Sequence, residues 1–125
     1  MIKCMFLLYR APHLTREEFL DYWSKQHSKM AIETAPMMGQ NRYVQNHPRE
    51  HAIGQIFKES RGCQLGDFDG VAEATWNSFE EMEAAAGNTP EDVARAILED
   101  EARFVDMKRS IIWFAEEKQF WPVQN

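Results

Sequence analysis

The chain has 125 residues, the size of one domain with one core, and 44% of them are apolar, a globular composition. Fourteen basic against twenty acidic residues give a net charge of −6 with no basic cluster, which disfavours a nucleic-acid phosphate track or an anionic membrane as partner. Two cysteines, Cys4 and Cys63, make neither a metal quartet nor a disulfide framework, and no stretch nears the ~20 apolar residues of a membrane span, so a cytoplasmic protein is expected.

Ile2 to Arg10 predicts a strand ended by Ala11-Pro12, apolar on both faces and so covered on both. Its run CMFLLY has no cleavage site after it, which argues against a signal peptide. A helix starts at LTREEF, with Thr15 as cap and Glu18 completing a capping box. Phe19, Leu20, Trp23, His27, Met30 and Ala31 recur at helical spacing and face inward. RYVQNH, from Arg42 to His47, alternates as a second strand stopped by Pro48. Residues 48–69 read as a long irregular loop that is functional or hides short helices.

GVAEATW is a third strand. Ser78 with Glu81 opens a helix that Gly87 should stop. Thr89-Pro90-Glu91 starts another, running to about Phe104 with Val93, Ala94, Ile97, Leu98 and Ala102 inside. SIIWFA, from Ser110 to Ala115, is the fourth strand, and an aromatic tail spans residues 119–125. The order predicts a single α+β domain over residues 1–125: one four-stranded antiparallel sheet with helices on one face. Apolar groups on the other face need a cover, which a second copy supplies by closing two sheets into an eight-stranded barrel.

Four side chains carry candidate chemistry. His27 lies on the apolar stripe of the first helix, as a base or as a core histidine bonded to the backbone. Tyr43, Gln45 and His47 share one face of the second strand, too polar for plain core, which suits a cavity wall or an exposed edge. Glu73 and Thr75 share a face of the third strand with Val71. Glu73 then points away from the alanines, either as a carboxyl whose pKa burial raises or as the partner of Arg42 or Arg109. Gln45, Trp76, Trp113, Tyr9 and Thr75 complete the set as ligand contacts. The acid runs Glu80-Glu81 and Glu99-Asp100-Glu101 read as solvated helix faces.

His47, Glu50 and His51 form a His-x-x-Glu-His string, the inverted zinc-protease pattern. That pattern needs both histidines inside one helix, and here the first ends a strand before Pro48, so no metal is expected.

The opening strand, LTREEFLDYWSKQH, RYVQNH, DFDGVAEATW, EDEARFVD and SIIWFAEE together resemble the EthD family of the dimeric α+β barrel (ferredoxin-like) superfamily. The resemblance departs at Ser28-Lys29, where family members often carry a proline after the helix-one histidine. It implies a homodimer with a cleft between sheet and helices. It also implies a small hydrophobic or aromatic compound as ligand, handled in catabolism beside a cytochrome P450 system or in polyketide-like tailoring. Relatives in the superfamily are cofactor-free isomerases, lyases, dehydratases and monooxygenases. The expected activity is therefore acid–base chemistry without a cofactor, with a non-catalytic accessory protein as the alternative.

Overall fold

The computed structural model describes residues 1–123. Strand β1 (Ile2–Leu8) leads through a turn to α1 (Arg16–Tyr22). The Thr15 side chain accepts from the Glu18 amide and the Glu18 carboxylate accepts from the Thr15 amide, so the predicted capping box forms in both directions. The helix then widens into a π-helical turn, Trp23–His27, before continuing as α2 (Ser28–Thr34). β2 (Arg42–Asn46), α3 (Ala52–Arg61), β3 (Gly70–Trp76), α4 (Phe79–Asn88), α5 (Glu91–Phe104) and β4 (Ile111–Glu116) follow.

The four strands form one antiparallel sheet in the order β2-β3-β1-β4. Register fixes its faces. Cys4 pairs with Ala74 and Phe114, Phe6 with Ala72 and Ile112, and Tyr43 with Ala74, so these groups share the face beneath the helices. Met5, Glu73, Val44 and Trp113 share the opposite, uncovered face. The core joins Leu8 to Phe19, Trp23, Phe104 and Val105. Phe19 and Phe104 bring their rings to 5.5 Å, packing α1 on α5. Each such side chain contributes about 1.5–3 kcal/mol by leaving water.

Gly70 permits a close approach: a Cβ there would lie 2.4 Å from the Trp23 indole. Trp23 therefore lies against the start of β3. Asp69, just before it and 1% exposed, accepts from the Arg10 amide at 2.8 Å and from the Arg10 and Arg16 guanidinium groups at 2.7 and 3.0 Å. This network binds the end of β1 to α1. Burial alone would raise its pKa, but these bonds outweigh it and hold the carboxyl below the usual carboxylate range.

Several expectations are refined. The segment 48–69 contains the ten-residue α3, capped by His51, whose Nδ1 accepts from the Ile53 amide, and ended by Gly62 in the left-handed region at φ 66°. Gly87 does not stop α4, which ends at Asn88. Thr89 turns its hydroxyl back to the Ala85 carbonyl, and Pro90 takes the cap position of α5. Within α5, Ala94, Leu98 and Ala102 are exposed rather than inside, whereas Asp100 is buried. The described part of the tail is exposed, with Phe120 and Trp121 more than 80% accessible; residues 124 and 125 lie outside the described residues. Among the described residues no helix is long and apolar enough to cross a membrane.

Candidate active site

Between the sheet and the helices lies a cavity of about 330 Å³, within the range of small-molecule sites. Its floor is made by Cys4, Phe6, Ala72 and Ala74. The small side chains of Ala72 and Ala74 leave the space open. Trp23, His27 and Met30 line it from the first helix, and Ile97, Glu101 and Phe104 from α5. Trp76 closes one end, its indole N–H donating to the Met38 carbonyl at 2.8 Å.

His27 is 8% exposed and lines this cavity. Its Nδ1 lies 2.7 Å from Oδ2 of Asp100, which is itself 6% exposed. A carboxylate only accepts, so Nδ1 carries the hydrogen and Nε2 is left for whatever occupies the cavity. Asp100 also accepts from the Tyr22 hydroxyl at 2.5 Å and from Arg103 at 3.0 Å. Burial works to raise the Asp100 pKa, but the Tyr22, His27 and Arg103 bonds prevail and keep it ionised below the ordinary range. The π-helical turn ends at His27, and wide turns of this kind recur at functional sites.

Tyr43 lines the same cavity. Burial pushes its phenol up, so it stays a neutral donor at physiological pH. Gln45 does not line the cavity but braces it. Its Nε2 donates to the Tyr43 hydroxyl at 3.0 Å and to the Trp23 carbonyl, inside the π turn, at 2.9 Å. Expected as a ligand contact, it instead holds Tyr43 and the π turn.

The remaining candidates lie elsewhere, each for a stated reason. His47 was expected at the cavity wall. Its ring instead stacks on Trp23 at 4.8 Å, with Nε2 2.9 Å from Oε1 of Gln45, and the indole stands between it and the cavity. Glu73 was expected to carry a raised pKa or to pair with an arginine. Its register partner is Val44, not Tyr43, so it lies on the uncovered face. There Lys3 donates to it at 2.6 Å and Asn46 at 2.8 Å, and these bonds hold its carboxyl below the usual range. The expected arginine partner is a lysine. Trp113 also faces the uncovered side and is 41% exposed. Thr75 is 2% exposed on that side, its hydroxyl the one buried side-chain polar atom without a partner among the described residues. Tyr9 lies outside the cavity, donating to Asp67 at 2.9 Å beneath the Arg109 guanidinium. Among the described residues no group of three His, Cys, Asp or Glu side chains is placed to hold a metal ion.

Asp100 and Glu101, expected on a solvated helix face, are instead buried and half-buried, Asp100 behind His27 and Glu101 at the cavity. Glu101 lines the cavity, and burial, with the Asp100 carboxylate adding to it, pushes its carboxyl up to about 7. The available signal was periodicity: Glu101 falls four residues after Ile97 and three before Phe104, inside the apolar stripe of α5.

A family model described as "EthD domain" matches residues 11–108. No curated protein matches the sequence. The structure is similar to that of an ethyl tert-butyl ether D (EthD) family protein from Bacillus halodurans, at 15% identity and TM-score 0.62, covering 94% of this chain and 100% of that one. It is also similar to a dimeric protein of unknown function with a ferredoxin-like fold from Bacteroides fragilis, at 9% identity and TM-score 0.58, covering 93% and 95%. A third is SnoaB, a cofactor-independent oxygenase from Streptomyces nogalater, at 18% identity and TM-score 0.50, covering 98% and 95%.

Proposed function

The chain belongs to the EthD family and has its ferredoxin-like fold, and from that premise we propose that the cavity binds a small hydrophobic compound and transforms it by acid–base chemistry carried by side chains. The observation that carries the reading is the buried Asp100–His27 pair at the cavity wall. His27 Nε2 takes a proton from an activated carbon or hydroxyl of the ligand. Asp100 steadies the imidazolium that results, and Tyr43 donates to the oxygen where negative charge gathers. Returning the proton to another atom completes an isomerisation; losing water or a carbon fragment gives a dehydratase or lyase. Reaction of the deprotonated ligand with oxygen gives a monooxygenase-like outcome. SnoaB shares the fold, so this architecture accommodates chemistry without a cofactor.

The alternative is a non-catalytic carrier serving an oxidoreductase system, which the mostly apolar wall also favours. Incubation of the protein with metabolites of its host, followed by mass spectrometry, separates the two: a carrier retains a ligand unchanged, an enzyme releases a product. His27→Ala is expected to lower turnover by about 10²–10⁴ while the ligand still binds. Full turnover in that variant overturns the assignment.

We further propose that two copies join through the uncovered sheet face, where Met5, Leu7, Val44 and Trp113 surround the Lys3–Glu73 pair. Light scattering should give twice the 14.6 kDa chain mass, and Trp113→Lys should return it to the monomer value. A monomeric mass for the unaltered chain refutes the pairing.

A further inference from the structure

Glu101 is unlike the other acids of α5. Its neighbours Glu99 and Ala102 are exposed, whereas Glu101 is half-buried and turned to the cavity. Among the described residues its carboxylate takes no hydrogen bond and no salt bridge, although Asp100 beside it takes three. No lysine or arginine lines the cavity. The groups that face Glu101 are Cys4 on β1, Tyr43 on β2, His27 on the first helix and, on its own helix, Asp100. His27 is the one of these able to carry positive charge, and Asp100 already neutralises it at 2.7 Å. A carboxyl left without a partner in apolar surroundings is held neutral up to about pH 7, and a neutral carboxyl is a hydrogen-bond donor. A ligand carboxylate would find no countercharge here, and burying an unpaired charge costs several kcal/mol or forces its neutralisation.

Resting on the reading of the cavity as a ligand site, we propose that Glu101 is its second proton-handling group, an acid opposite the His27 base, and that the cavity takes an uncharged carbonyl or hydroxyl compound and rejects the matching carboxylate. The Glu101 O–H donates to the ligand oxygen, while His27 works on the proton that is removed. The division resembles other pairs of titratable groups whose environments drive them to opposite protonation states. Enolisation of a ketone is the simplest balanced case: His27 takes the α-proton, the carbon–oxygen π electrons move to oxygen, and Glu101 gives that oxygen its proton.

The test uses three probes of one shape on the unaltered protein: 2-acetylnaphthalene, 2-naphthoate and 2-naphthylmethylammonium. Trp23 and Trp76 line the cavity and report occupancy through their fluorescence. At pH 8 the ketone should bind at least tenfold tighter than the carboxylate. On moving to pH 6, where Glu101 holds its proton and can donate, both the ketone and the carboxylate should gain several-fold. Glu101→Gln, which keeps a neutral donor, should retain ketone binding and remove the pH dependence. Equal affinity for ketone and carboxylate at pH 8 overturns the charge selection while leaving the cavity reading intact. Tighter binding of the ammonium than of the ketone at pH 6 shows Glu101 to be an ionised cation site there and overturns the proposal. Binding of none of the three overturns the cavity reading and the proposal with it.

Discussion

Replacing Asp100 by asparagine perturbs the site without changing its shape. The carboxylate accepts three hydrogen bonds, from Tyr22, His27 and Arg103. Asparagine offers one acceptor oxygen and one donor group, so its NH₂ must confront either the Tyr22 hydroxyl or His27. Facing His27, it meets Nδ1–H, and donor against donor is resolved when the ring moves its hydrogen to Nε2. The lone pair then lies on Nδ1, away from the cavity. The same change of tautomer disables a serine-protease histidine when its aspartate becomes asparagine. In energy, two buried charge-assisted bonds worth about 1.5–3 kcal/mol each become neutral ones worth about 1 kcal/mol each. Arg103 is 61% exposed along its side chain, so its share is at most about 1 kcal/mol. A loss of about 2–3 kcal/mol follows, and at roughly 4 °C per kcal/mol for a chain of this size the melting temperature should fall by about 10 °C. Nitrogen NMR of the histidine rings should show His27 changing from the Nδ1–H to the Nε2–H form. An unchanged tautomer with melting within about 2 °C of the parent would refute the reasoning, because the carboxylate then neither holds the ring nor supports the helix.

Ala74→Leu adds three carbons to the cavity floor, each worth about 0.8 kcal/mol when buried, so thermal melts should show up to about 2 kcal/mol of stabilisation together with loss of probe binding; a fall in melting temperature would mean that the floor has no room. Gly70→Ala places a Cβ 2.4 Å from the Trp23 ring and should cost about 1–3 kcal/mol in denaturant melts by overpacking; an unchanged midpoint would mean that Trp23 does not rest there. The Glu101 carboxyl titrates near ~4.3 when unfolded and at about 7 when folded, so between those values the folded chain holds the extra proton and Glu101's contribution to stability falls as pH rises. Glu101→Gln should therefore match the parent near pH 4 and exceed it by on the order of 2 kcal/mol near pH 8 in paired melts; a constant difference across that range counts against the buried acid.

The elements readable in the sequence are those whose signals are local. GVAEATW is bounded by Asp69 and Asn77 and forms the strand Gly70–Trp76 as expected, and the Thr15–Glu18 capping box needs four consecutive residues. The segment 48–69 held a readable helix as well: Ile53, Ile56 and Phe57 are spaced as one face, and Gly62 follows the basic last turn. Those apolar groups stay exposed, so α3 has no counterpart in the core that would have strengthened the pattern. The site was legible in part. Helical spacing places His27 on the inner face, and strand alternation groups Tyr43 with Gln45. Alternation alone does not tell which face of β2 continues which face of β3, however. That depends on the pairing of Tyr43 with Ala74, which puts the sheet between Glu73 and Tyr43. The partner of His27 was out of reach for a related reason: Asp100 is 73 positions away, and only the packing of the first helix on α5 makes them neighbours.

The cavity exists because two local irregularities support one another. A regular α-helix through Trp23 and His27 would satisfy each carbonyl from its own helix. The π turn widens the spacing, and the Trp23 carbonyl takes a bond from Gln45 in addition to that of the Ser28 amide. Gln45 also fixes the Tyr43 hydroxyl and meets His47, which stacks on the other side of Trp23. The polar face of β2 is therefore a brace for the helix more than a lining for the ligand. On β3 the complementary choice is smallness: Gly70 admits the indole, while Ala72 and Ala74 leave space beyond it. A larger residue at either alanine would fill the floor, and loss of Gln45 would free the turn that carries His27. The imidazole is thus positioned from both ends, by Asp100 on its ring and by Gln45 on the backbone one turn before it, a double restraint that suits the base proposed for it.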